Sequence, residues 1–268
     1  MKLALMEIGQ KFLMQKENRI IRENEVSIHI FEDGYIFSDN LKSTFYKKSL
    51  FTKKNQPSEI ESINFNETKV SLVSFNKSSF FIPSIIFNED IQESYFEKKR
   101  LKNFKFKTYF DKLNSNEIIN TYYLKENENF LNLFSLNKIS VISHYKTIIL
   151  NTIVKSKKEH FNDNVVYLNL QKNSFDIFYF INDKFNLSNS FSINNTEEFL
   201  YYFFYFLEQF NLHSNTLSIV FLGKFDSFQD YYSGIRDFET NIFFLNNTTQ
   251  NKDNIDNHPS PFLANYFC

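Results

Sequence analysis

"NTEEFLYYFFYFLEQF" occupies residues 195–210, and from Phe199 to Leu207 every side chain is apolar or aromatic. A run of that length is about half of the ~20 residues a helix needs to cross a bilayer. Set out at about 100° per residue, the segment divides into two sides. Glu197, Glu198, Tyr201, Tyr202, Tyr205, Glu208 and Gln209 share one, and Phe199, Phe203, Phe206, Leu207 and Phe210 share the other. Leu200 and Phe204 fall at the flank. The pattern predicts an amphipathic helix with a wide buried face, its tyrosine hydroxyls reaching water while their rings cover apolar surface. Asn195 or Thr196 suits the N-cap, with Glu198 as the capping-box partner.

A helix with so broad an apolar face needs a sheet to cover. Upstream, "VVYLNL" (165–170), "SFDIFYFI" (174–181) and "FNLSNSFSI" (185–193) are joined by the short links "QKN" and "NDK", a three-stranded meander. The first two strands are apolar on both faces. The third alternates Phe185, Leu187, Phe191 and Ile193 with Asn186, Ser188, Ser190 and Ser192, as an edge strand with one wet face does. Downstream come a strand at 217–223, a short helix at 227–236 and a strand at 241–245, so the order is β-β-β-α-β-α-β.

The first half repeats that order less sharply. "VSIHIF" (26–31) and "YIFSD" (35–39) flank the turn signal Asp33-Gly34. Strands at 69–75 and 79–87 follow, then a helix from Asn88 to about Arg100, a strand at 130–136 and a helix over 143–158 that ends in lysines. The expected organisation is an N-terminal extension at 1–24, a first half at 25–160 and a second at 161–268. Residues 246–258 read as a mobile polar loop before a docked tail.

Composition narrows the chemistry. The 268 residues include 35 Phe and 15 Tyr but only four glycines, and the net charge is −1. A near-neutral chain projects no global field toward nucleic acid or acidic membranes. Gly9, Gly34, Gly223 and Gly234 stand apart, whereas nucleotide-binding loops cluster glycine so that backbone can approach phosphate. The one cysteine, Cys268, excludes an internal disulfide and any multi-cysteine zinc site. His29, His144, His160, His213 and His258 are dispersed, without metal-ligand spacing. The N-terminus is too short in apolar residues for a signal peptide, so the expectation is a cytoplasmic protein without a membrane span. P-loop, HExxH, GxSxG and GxGxxG motifs are absent.

The twofold β-β-β-α-β-α-β order is that of the actin-like ATPase (ribonuclease H-like) fold, an α/β class with mixed sheets. The block from 185 to 212 is also similar to a bacterial family known as domain of unknown function 3822. It shares that family's N-sF…T-eDFlYY pattern through Asn189, Phe191, Thr196, Glu198, Phe199, Tyr201 and Tyr202, then a strand closing on Gly223. The ending "HPSPFLANYFC" resembles the family's as well. The resemblance implies an actin-like fold related to pilus-assembly proteins and brings no established activity.

Active members of the actin-like class hold ATP between two β-hairpins and a Gly-rich adenosine loop, with Asp organising Mg²⁺. The corresponding nucleotide-cleft residues here are Asp33 and Gly34 in the first half and Asn169, Lys172, Asn173 and Ser174 in the second. Gly223 and Lys224 stand at the adenosine loop. Asp33-Gly34 is what a hairpin turn needs in any case. Asn169 stands at the acidic position, Leu170 is expected to obstruct an amide cradle, and "FLGKF" offers one small residue. The expectation is therefore a pseudo-ATPase scaffold or adaptor with an unknown protein partner, no catalytic residue and no metal, against an ATP-binding protein with atypical loops.

The remaining alternative is "EKKRLKNFKFKTYFDK" (97–112), with seven cations against Glu97 and Asp111. Lys105 and Lys107 alternate with Phe104 and Phe106, a pattern that could hold single-stranded nucleic acid. A half-buried edge strand guarded by lysines has the same pattern, and that reading is preferred.

Overall fold

The computed structural model describes residues 25–38, 43–47, 69–97, 106–113, 117–125, 139–156, 161–213, 215–239, 241–245 and 258–264. The extension at 1–24, the strand expected at 130–136, the loop before His258 and most of the basic stretch lie outside them. Two compact units divide the chain: one takes Lys158–Lys252 with Pro259–Phe262, the other Glu23–Lys157 with His258 and the residues from Leu263.

In the first of these units the meander is β9 (Asn164–Gln171), β10 (Ser174–Ile181) and β11 (Lys184–Ser192). Asn182 and Asp183 join β10 to β11 with φ of 48° and 64°, the left-handed pair of a type I′ turn. β12 (Leu217–Leu222) lies parallel to β9, and β13 (Ile242–Leu245) parallel to β12. The sheet order is β11-β10-β9-β12-β13, which puts β11 at an edge as its alternation predicts. A bulge beside Phe180 leaves Asn186 unmatched.

The opening segment is helix α3 (Thr196–Gln209). The Asn195 side chain accepts from the Glu198 amide at 2.8 Å, as expected of the cap. Glu198 reaches one residue further back than a capping box requires, accepting from the Asn194 amide at 2.9 Å. Phe199, Phe203, Phe206 and Leu207 are buried against Val166, Leu168, Phe175 and Ile177. Each is worth about 1.5–3 kcal/mol by removal from water. Phe210, placed on the buried side by angle, is 41% exposed. It is the C-cap, and its ring closes the end of the buried face, 4.8 Å from the Phe206 ring and 5.7 Å from that of Tyr179, before Asn211 with φ of 51° turns the chain. Helix α4 (Gln229–Arg236) buries Tyr232 and Ile235 beside α3.

In the other unit β1 (Glu25–Ile30), β2 (Gly34–Ser38), β3 (Ser43–Lys47), β4 (Lys69–Ser74) and β8 (Ile139–His144) form a sheet of order β3-β2-β1-β4-β8. Its topology matches the second sheet strand for strand. The expected helix over 143–158 is α2 (Tyr145–Lys155), and β8 is a strand that its mixed pattern did not reveal.

Two expectations fail here. The strand over 79–87 stops as β5 (Ser79–Pro83), because Pro83 supplies no N–H, and a 3₁₀ turn at Ser84–Ile86 follows. The helix from Asn88 to Arg100 is only a 3₁₀ turn at Glu89–Ile91 and one helical turn, α1 (Ser94–Glu97), within the described residues. β5, β6 (Phe106–Lys112) and β7 (Ile118–Lys125) make a separate three-stranded sheet of order β5-β7-β6.

Candidate functional site

The first hairpin tip is closed by the Phe31 amide donating to the Gly34 carbonyl at 2.8 Å, with Glu32 and Asp33 exposed between them. Gly34 is required by packing. A Cβ there would run into the Tyr46 carbonyl and lie 2.6 Å from the Phe45 ring. At the base of this hairpin His29 is wholly buried, its Nδ1 2.8 Å from Nε2 of His258 and its Nε2 3.1 Å from Ser27 Oγ. Phe31 stacks on Phe75 at 4.3 Å and Phe75 on Tyr145 at 5.0 Å, with the His258 ring edge-on to both phenylalanines. Rings from the residues just past β1 and β4, from the start of α2 and from the tail thus pack on one another beside the hairpin.

The second hairpin turns through Lys172 and Asn173, between the paired Gln171 and Ser174. The Lys172 amide donates to the Pro259 carbonyl at 2.9 Å, and the Asn173 carbonyl accepts from Ile193 at 3.1 Å. Both turn side chains are exposed and Ser174 is buried. Asn169 faces Asp176 across the ladder, and both are wholly buried. Asn169 Nδ2 and Gln171 Nε2 donate to one Asp176 oxygen at 2.9 and 2.8 Å, and Ser190 Oγ donates to the other. Asn169 Oδ1 is buried without a protein partner. Leu170 corrects an expectation. Alternation sends its side chain to the opposite face, into the core under α3, so the chain's own tail rather than Leu170 engages the turn amide.

Gly223 follows β12 with φ of 83°, and a Cβ there would overlap the Phe225 ring. Its amide donates to the Leu245 carbonyl at 2.8 Å. Lys224 lies with Nζ 5.6 Å above the Phe244 ring, a cation–π placement. Tyr232 closes the turn after Gly223. Its hydroxyl accepts from the Phe225 amide at 3.1 Å, and burial pushes its pKa up to about 12.

Sequence reasoning missed a third constellation, at the N-terminus of α2. The Asp111 carboxylate accepts from the His144 amide at 2.7 Å and from the Tyr122 hydroxyl at 2.9 Å. Burial raises its pKa above the usual carboxylate range, against the lowering effect of those hydrogen bonds and one from Thr147. His144 caps the helix: Nδ1 accepts from the Lys146 amide at 3.2 Å, so Nε2 carries the proton and donates to the Asn76 carbonyl at 2.6 Å. Burial, and then the Lys146 charge, lower His144 to about 3, so its imidazole is neutral. Perturbed acids and bases mark active sites, but these groups are engaged in capping a helix. The signal in sequence was His144 just before an apolar helical run.

Of the basic stretch, Phe104 and Lys105 lie outside the described residues, and β6 is an edge strand with Lys107 and Lys112 exposed, in line with the preferred edge-strand reading. β6 sets Lys107 with Tyr109 and Asp111 on one face, and Phe106, Thr108 and Phe110 with Lys112 on the other. Lys107 Nζ lies 5.5 Å over the Tyr109 ring. Among the described residues no three His, Cys, Asp or Glu side chains gather as a metal site, and no helix is long and apolar enough to cross a membrane.

The family described as "Protein of unknown function (DUF3822)" matches residues 19–242. The chain belongs to that family. Among solved structures it is similar to a Bacteroides thetaiotaomicron protein of unknown function with an actin-like ATPase fold, at 19% identity and a TM-score of 0.68, over 85% of this chain and 93% of that one. A chain of the PilM–PilN type IV pilus biogenesis complex matches at 12% identity and a TM-score of 0.49, over 84% and 89%. The Alp12 filament protein matches at 12% and 0.38, over 84% and 94%. No curated protein matches in sequence. The DUF3822 chain therefore has the actin-like ATPase fold, with mixed sheets in both units.

Proposed function

We propose that this DUF3822 protein is a non-catalytic member of the actin-like fold, a cytoplasmic scaffold or adaptor that works through protein contacts without ATP, Mg²⁺ or nucleic acid. The observation that carries this reading is the Lys172–Pro259 hydrogen bond. A hairpin tip can offer phosphate its backbone amides, and here the amide of Lys172 is already used by the chain's own tail. Further support comes from Asn169 in place of an acid, from the aromatic rings around His29, and from the Phe225 ring at Gly223. These residues do not fit a Mg-nucleotide, and no catalytic step is assigned to them.

The second reading, an ATP-binding protein with atypical loops, draws on Asn169 Oδ1, a buried acceptor without a protein partner. Isothermal titration with Mg-ATP decides between them. The scaffold reading expects no saturable heat tighter than about 1 mM. Micromolar binding, weakened by Asn173→Ala or Lys224→Ala, would sink it.

A further inference from the structure

The exposed large aromatic side chains among the described residues gather on one layer of one unit: Tyr201 is 64% exposed, Tyr205 48%, Phe210 41% and Phe238 65%. Soluble surfaces tolerate single exposed rings, whereas aromatic clusters serve as interface anchors. Tyr201 and Tyr205 stack along the outer face of α3 with ring centres 6.2 Å apart. Phe204 extends the row sideways to Phe238, at 5.0 Å.

The charge on this ridge has one sign. Glu197, Tyr201, Tyr205 and Glu208 follow one another at helical spacing as a single stripe, and α3 carries no cation. From 195 to 239 seven carboxylates stand against Lys224 and Arg236 alone, although the whole chain is only −1. Helix stability does not account for Glu208. It sits in the last turn, at the negative end of the helix dipole, where a cation would be favoured.

We infer that this acidic tyrosine ridge is the docking surface for a cationic polypeptide segment, whose Lys or Arg side chains lie over the Tyr201 and Tyr205 rings and pair with Glu197 and Glu208. Phosphate-bearing partners, nucleic acid or an anionic membrane, are repelled by the same charges. A guanidinium gains both from the ring faces and from the carboxylates beside them. The inference rests on the reading that the chain works through protein contacts. Mg-ATP binding in the titration above would remove that reading while leaving the peptide result below intact.

The test is fluorescence anisotropy with three labelled peptides of equal length that combine leucine with arginine, with glutamine or with glutamate. Only the arginine peptide is expected to bind the full chain. Tyr201→Ala/Tyr205→Ala and Glu197→Gln/Glu208→Gln, all at exposed positions, are each expected to weaken it about tenfold. Glu89→Gln/Asp90→Asn, on the other unit, is expected to leave it unchanged. Glu208→Lys is expected to weaken binding while raising the melting temperature, a split that unfolding cannot mimic. Equal binding by all variants, no binding of the arginine peptide, equal binding of the glutamine peptide, or self-association of the chain through these same residues would each overturn the proposal.

Discussion

His144 shows how a single residue ties local structure to solution behaviour. Its pKa is lowered to about 3 in the fold by burial and by Lys146, whereas its ordinary value is 6.5. The unfolded chain therefore takes up this proton first as pH falls. Stability that His144 contributes above pH 6.5 is lost progressively below it, at a limiting 1.36 kcal/mol per pH unit. Asp111 works the other way. Its raised pKa lets the folded state gain a proton early, which offsets part of the loss at lower pH. Chemical denaturation at pH 7 and pH 5 is expected to show a loss of up to about 2 kcal/mol from His144. His144→Asn, which keeps a capping acceptor, is expected to reduce that loss. An unchanged difference between the two pH values would contradict the assignment.

At the scale of elements, helix α3 carries the core of its unit. Phe203 is wholly buried on the middle of its inner face. Phe203→Ala is expected to cost about 3–5 kcal/mol, read from urea unfolding. Tyr201→Ala, on the outer face, is expected to cost within about 0.5 kcal/mol. Comparable losses at the two positions would refute the division of the helix into faces. This element was legible in the sequence because its apolar period is long and its cap is a strong local signal. The meander was legible for a related reason, since each strand is bounded by short polar turns. The first half was less so: β3 and β8 escaped because short strands of mixed polarity carry little period of their own, and β7 because Asn120 and Thr121 interrupt its apolar run. Pro83 ends a strand that the apolar residues after it suggest is longer.

For the whole molecule, the twofold order was readable, whereas the state of the candidate site was not. Asp33, Gly34, Gly223 and Lys224 could be named from sequence as departures from a nucleotide-binding pattern. What occupies their surroundings depends on residues far along the chain, His258 against His29 and Pro259 against Lys172. No local pattern announces contacts of that sequence separation. Leu170 shows the same limit, because its partners across the sheet, and not its place along the hairpin, set which face its side chain takes. On the proposed reading the tail, and not a nucleotide, satisfies the second hairpin. Amide hydrogen exchange at Lys172, followed in the full chain with and without Mg-ATP, tests it most directly. Slow exchange from the free protein and no change on adding Mg-ATP are expected. Fast exchange that slows when the nucleotide is added would contradict it.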